Sequence, residues 1–376
     1  MAGRRSNGEG SVTQRKDGRW EAKVSLPNGR RISRYGASKQ EAREKLKEAQ
    51  KQIDNGLDLS APSVTMRDFL NTWLTTAAKP SIKTSTYETY ESVVRVRLIP
   101  YIGDVKLLKL TPVRIQTLYA TFSEGDKKIS NQSILHVHRV LSQALEQAVR
   151  WNLLPRNPCA GVTPPRPVAN EMAVWTAEEA NALLAATAED PMHALFVLAL
   201  STGMRQGELL GLKWSDIDFE AGKLHIRRSV TRHKGEGLVF TQPKTSRSRR
   251  PIKLGRRAID ALKARRRIQV EQRLKVGPLW QEVDLVFSTA YGGPLESGWI
   301  YRIFRRTSEN AGVSRIRFHD MRHTAATLLL SQNVHVKVVS EMLGHSNVSI
   351  TLNTYSHFVP SLHDQAADVM DSLLTA

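Results

Sequence analysis

Arg205, Lys244, His319, Arg322, His345 and Tyr355 form a set of side chains suited to breaking a phosphodiester. Guanidiniums grip non-bridging phosphate oxygens through paired N–H donors. A phenol supplies the attacking oxygen, and a neighbouring acid protonates the alkoxide that departs. Each residue stands in a distinctive local phrase. Arg205 lies in Ser201-Thr202-Gly203-Met204-Arg205-Gln206-Gly207-Glu208, where Gly203 suits a turn between two helices and leaves Arg205 near a helix start. Glu208, one turn further on, is placed to brace that guanidinium, although an Arg-x-x-Glu pair by itself is ordinary on any helix surface.

In His319-Asp320-Met321-Arg322-His323, positions 319, 322 and 323 share one helical face. The His-x-x-x-His spacing admits zinc, but no glutamate lies between the histidines and the Arg322 cation opposes a dication. Phosphate is the better fit, and no metal is expected. His345 follows Leu343-Gly344, and Tyr355 comes ten residues later in Asn353-Thr354-Tyr355-Ser356-His357. An isolated tyrosine of this kind is a half-buried aromatic, and only its neighbourhood singles Tyr355 out. Lys244 falls in Thr241-Gln242-Pro243-Lys244-Thr245-Ser246-Arg247, on a loop between expected strands at about 238–241 and 249–253.

These residues must be positioned by a chain of 376 amino acids, enough for two or three cores. Its 55 lysines and arginines against 36 acidic residues leave a formal charge of +19, as expected of a protein that meets a polyanion. Residues 241–275 alone hold thirteen basic and two acidic side chains, so Arg247, Arg249 and Arg250 are candidate DNA contacts. The longest apolar run, 194–200, is too short to span a bilayer, and residues 1–28 contain no apolar signal core. One cysteine, Cys159, excludes an internal disulfide and a cysteine zinc site; a reduced, cytoplasmic compartment follows, and Cys159 reads as a bystander in a proline-rich connection.

The pattern predicts a multidomain, mainly α protein with small β-sheets (α+β). Residues 1–60 read as three strands and a helix. Arg19 to Leu26 alternates, Asp17-Gly18 and Asn28-Gly29 mark hairpins, and Ser38-x-x-Glu41 opens a helix that Gly56 is placed to end. Arg19, Lys23, Arg30 and Arg31 are candidate DNA contacts there; an ordinary solvated face fits the charge pattern equally well. Residues 64–154 read as helical, with one helix starting at Thr65, a second from about 86 to 98 ending before Pro100, a third capped by Thr111-Pro112 and a fourth from about 131 to 151. A proline-rich linker, 155–174, leads to a mixed catalytic domain over 175–376. Near its end Leu362, Ala366, Val369, Met370 and Leu373 recur at helical spacing, an apolar stripe that could dock on a neighbouring subunit or on its own core.

Taken together, these phrases resemble the tyrosine recombinase family, in particular the integrases of phages and integrative elements. The resemblance covers essentially the whole chain: an arm-type DNA-binding domain, a helical core-binding domain and a catalytic domain. It implies that Tyr355 attacks DNA to give a 3′-phosphotyrosyl link, that His319 accepts its proton, and that Lys244 protonates the leaving 5′-oxygen. It further implies that Arg205 and Arg322 stabilise the transition state, that His345 contacts a non-bridging oxygen, and that Glu208 is a supporting residue. Neither ATP nor a metal cofactor is implied. The expected partners are double-stranded DNA with core and arm-type sites, three further copies in a tetramer that forms a Holliday junction, and host bending and directionality factors. The place of action is the bacterial cytoplasm, at the nucleoid. A type IB topoisomerase, a non-cleaving DNA-binding regulator and a chromosome-dimer resolvase are the rival readings.

Overall fold

The computed structural model describes residues 10–26, 29–54, 64–125, 128–168, 172–242, 249–355 and 370–374. It divides into two compact units, residues 1–169 and 170–376.

The first unit begins with a three-stranded antiparallel sheet, Ser11–Gln14, Trp20–Ser25 and Arg31–Gly36, in chain order. Ala22 and Val24 face the helix Lys39–Asp54 and are buried, as alternation predicts. On the other face, register sets Glu21 opposite Tyr35 and Lys23 opposite Ser33. Glu21 is not solvated there: Ser33 Oγ donates to it at 2.7 Å, and Lys23 and Arg15 lie at 3.6 and 3.9 Å. Arg19 is held by Asp17 at 2.7 Å, and Arg31 is exposed. The helix starts as expected, with Ser38 Oγ accepting from the Glu41 N–H. Its expected stop, Gly56, lies outside the described residues.

A helical bundle follows around Phe69, Leu70, Trp73, Tyr119, Leu141 and their apolar neighbours. Thr65, Thr111 and Ser130 each cap a helix through the side chain. One expectation fails. The second helix does not stop before Pro100; it runs from Thr84 through Ile102 by way of a wide turn in which the Ile99 N–H reaches the Val94 carbonyl. The same device at Leu74–Ala78 carries the first helix past Pro80. Proline removes one donor and crowds the carbonyl four residues back, and a widened turn relieves both without ending the helix.

The connection is also less extended than its prolines suggest. Pro158–Gly161 forms a helical turn capped by Asn157, and it buries Cys159 to 2% exposure in the bundle core. Burial there pushes the Cys159 thiol up to about 12.

The second unit is built on helix His193–Thr202, apolar on all sides and buried. Around it pack helices Ala177–Ala186, Arg256–Val276, Ser297–Asn310 and Asp320–Ser331, with a three-stranded antiparallel sheet (Ile217–Asp218, Lys223–His225, Pro251–Lys253) and a hairpin (Ser229–His233, Gly237–Thr241). The basic run therefore does not all face outward. Arg265 is 1% exposed, its Nε donating to the Val286 carbonyl. Residues 370–374 are helical, with Met370, Leu373 and Leu374 exposed; the rest of the expected stripe lies outside the described residues.

Candidate active site

Two left-handed glycines aim the site. Helix His193–Thr202 ends at Gly203 (φ 60°), and the chain re-enters helix at Gln206 with Arg205 at the N-cap. A Cβ on Gly203 would stand 2.5 Å from Leu343 Cδ2, so this turn needs both the conformation and the missing side chain. Helix Val336–Leu343 ends at Gly344 (φ 69°), and the His345 N–H bonds back to the Ser340 carbonyl. That reversal returns His345 to the same cavity as Arg205.

Glu208 is the anion at the centre, 3% exposed. It accepts from the Arg205 N–H (3.0 Å) and Nη1 (2.9 Å), and from Arg250 Nη2 at 3.3 Å. Burial pushes its carboxyl up, but Arg250 and Arg205 outweigh burial and hold it below the usual range. Arg250, expected as a DNA contact, is instead 7% exposed and also donates to the Met342 carbonyl. It props the site from behind because Glu208 and the turn at Gly344 capture it. Arg249 is exposed and bonds Gln242. Lys244 and Arg247 lie outside the described residues.

Arg322, on helix Asp320–Ser331, donates Nη1 to the Gly203 carbonyl at 2.7 Å. Its Nη2 is buried and, among the described residues, has no hydrogen-bond partner. Burial and Arg205 push this guanidinium down to about 9, still charged at neutral pH. Two guanidiniums thus pair with one carboxylate while a third, Arg322, shares the cavity, and the surplus positive charge points to an anion.

Tyr355 closes the site. It ends helix Val348–Tyr355 at 1% exposure, packed on Ala326, Leu330, Val339 and Leu343. Burial pushes its phenol up to about 12, with Arg322 pulling the other way. The imidazole at the phenol is not the expected one: His323 Nδ1 lies 2.7 Å from Oη, and among the described residues His319 makes no hydrogen bond to it. His345 Nδ1 lies 2.7 Å from Thr351 Oγ1, and burial with Arg322 pushes that ring down to about 4. Arg205, His319, Arg322, His323, His345 and Tyr355 all line one cavity of about 590 Å³. Of the expected set, five residues meet there. His323 and Arg250 are additions; the first was visible in its phrase without a role, the second hidden in a basic run.

A buried phenol set against surplus guanidiniums is the arrangement of an enzyme that transfers phosphoryl esters. The chain belongs to the phage integrase family: residues 173–360 match that family, and residues 65–122 match the phage integrase N-terminal SAM-like domain. It is 34% identical to a tyrosine recombinase XerC-like protein of Caldanaerobacter subterraneus subsp. tengcongensis, over 92% of this chain and 93% of that one. It is 30% identical to an integrase of Streptomyces ambofaciens, over 99% and 98%. The fold is similar to that of the Tn1549 transposon integrase in complex with transposon right end DNA (TM-score 0.69, 21% identity, 82% of this chain and 99% of that one). It is also similar to that of lambda integrase in a tetramer bound to a Holliday junction (TM-score 0.56, 20% identity, 96% and 97%). Among the described residues no helix is long and apolar enough to cross a membrane.

Proposed function

We propose that this recombinase cuts and rejoins DNA at specific sites through a phosphotyrosyl bond at Tyr355, so as to insert or excise a mobile element. One observation carries the reading: a buried tyrosine shares a cavity with two guanidiniums, and one of them, Arg322, has a buried donor without a partner among the described residues. A phosphate seated there satisfies that donor and offsets the surplus charge. Arg205 and Arg322 then stabilise the charge that develops on the equatorial oxygens as the phenol attacks. His345 is neutral at pH 7, and its Nε2–H donates to a non-bridging oxygen when Nδ1 accepts from Thr351. His319 lines the same cavity as a further donor. Lys244 is the proton source for the departing 5′-oxygen. The ester energy stays in the protein–DNA link, so rejoining needs no nucleotide.

Strand transfer between two duplexes requires several active sites at once. The reading is therefore of a tetramer that passes through a Holliday junction, with the apolar tail residues Met370 and Leu373 docking on a neighbouring copy. Host bending and directionality factors join it, at the nucleoid in the cytoplasm. The arm sheet grips a second DNA site. The test is an assay with two differently labelled duplexes. Recombinant products, lost in Tyr355→Phe with DNA binding retained, are expected; relaxation of supercoiled DNA without strand exchange would replace this reading by that of a topoisomerase.

A further inference from the structure

Thr351 is 0% exposed on helix Val348–Tyr355, and its hydroxyl has an unusual partner for a helical threonine. Thr89, Thr117, Thr121 and Thr324 each donate to the carbonyl four residues back, at 2.9–3.0 Å. Thr351 Oγ1 turns instead to His345 Nδ1 at 2.7 Å, and among the described residues that is its one side-chain hydrogen bond. We infer that Thr351 is a positioning residue: its hydroxyl donates to Nδ1 and so fixes the His345 proton on Nε2, where it meets a non-bridging phosphate oxygen. The inference rests on the phosphotyrosyl reading proposed above and deepens it.

Counting protons decides the direction of that bond. A hydroxyl has one proton to give, and a neutral imidazole carries one proton on one of its two nitrogens. If Nδ1–H donated to Oγ1, the Thr351 proton would need an acceptor of its own in a buried place, and among the described residues no other group accepts from it. With Oγ1 as donor, every proton has a partner once a phosphate is seated: Thr351 gives to Nδ1, and Nε2–H is left for the ligand. The ring has the charge state this needs. Burial, with Arg322 and Arg205 beside it, pushes His345 down to about 4, so at pH 7 it is neutral and a neighbouring group selects which nitrogen holds the proton. His345 lines the cavity with Arg205 and Arg322, so a donor on Nε2 adds to two guanidiniums around the same anion. A proton on Nδ1 would instead turn an Nε2 lone pair towards the phosphate and repel it.

The same contact ties this donor to the nucleophile. Thr351 and Tyr355 are one turn apart on a single helix, and His345 precedes that helix just past Gly344. Packing Tyr355 against Ala326, Leu330 and Val339 therefore seats the phenol and orients the phosphate donor in one event.

Two measurements on the full chain test this. Long-range proton–nitrogen correlation spectra of protein with isotope-labelled histidine read which ring nitrogen of His345 is protonated, its signals being identified by their loss in His345→Ala. The parent should hold the proton on Nε2 at pH 7; Thr351→Val, which keeps the shape and loses the hydroxyl, should show both forms. Single-turnover formation of the covalent adduct on a nicked duplex should slow about 10–100-fold in Thr351→Val and recover in Thr351→Ser, with DNA affinity and melting temperature followed in parallel. His345→Ala should lose about 10²–10³-fold. Adding Thr351→Val to it should cost nothing more, because the hydroxyl acts only through the ring. A proton on Nδ1 in the parent would overturn the inference, as would a parental rate in Thr351→Val or a loss in the double variant equal to the product of the single losses. Should Thr351→Val fail to fold, the parent spectrum and Thr351→Ser decide, since a serine variant slowed despite its hydroxyl also overturns it. Adducts persisting in Tyr355→Phe would instead sink the assignment of the nucleophile, a result the ring spectrum does not depend on.

Discussion

Glu208 holds two guanidiniums that would otherwise repel each other, and its pair with Arg250 is buried on both sides. Removing one charge from such a pair typically costs about 3–5 kcal/mol, because the other is left uncompensated. Glu208→Gln should lower the urea midpoint accordingly; an unchanged midpoint would mean that Arg250 finds another acceptor. The pH dependence has a definite sign. Glu208 titrates below its unfolded value of 4.5, so its contribution is complete above that pH and is lost as pH falls through the folded value. His345 acts over a higher window. Folded, it takes a proton only at about 4, whereas the unfolded chain does so near 6.5, so stability declines as pH falls from 6.5 towards 4. His345→Asn should flatten that part of a stability–pH curve measured by chemical denaturation. The side-chain types were legible in the sequence because each stands in a characteristic phrase. Their pairings were not. Helical periodicity places 319, 322 and 323 on one face, yet which imidazole meets Tyr355 depends on how a distant helix docks. Arg250 stood among charges that looked uniformly exposed, since a run of arginines does not disclose which one an internal carboxylate will capture.

Gly203 and Gly344 explain how short helices aim these groups. Gly203→Ala would impose a left-handed backbone on a Cβ and drive it against Leu343. A loss of about 1–3 kcal/mol is expected from overpacking of this kind, together with slower adduct formation because Arg205 shifts. Circular-dichroism melts and the adduct assay check the two effects; full stability with full rate would contradict this account of the turn. Caps were readable because a hydroxyl before a helix satisfies a free N–H: Thr65 and Thr111 act as expected, and Ser130 and Thr176 cap their helices in the same way. Helix ends at proline were not. The widened turns before Pro80 and Pro100 keep the apolar faces of both helices on the bundle core, with Val94, Leu98 and Ile102 all buried. Tertiary burial there outweighs a local preference to stop.

The chain carries separate cores in its two units, one from Met66 to Val162 and one from Trp175 to Met321 with its satellite around Tyr355. The order of a small sheet with a helix, a helical stretch and a mixed helix-and-strand stretch was legible from the change in periodicity along the chain; the folding of Pro158–Gly161 onto the bundle was not, because proline content alone suggests an extended link. With a formal charge of +19, DNA affinity should depend steeply on salt. Each phosphate contact removed should lower the slope by about one. Fluorescence anisotropy on an arm-type duplex should show this for Lys23→Ala or Arg31→Ala, and an unaltered slope would mean that the sheet face does not touch DNA. All of this converges on one covalent bond. The direct measurement is peptide mapping of protein trapped on a nicked duplex. Trypsin has no site between Lys337 and Ala376, and Tyr355 is the single tyrosine in that peptide. The account predicts the nucleotide on Tyr355 of that fragment; a nucleotide on any other residue contradicts it.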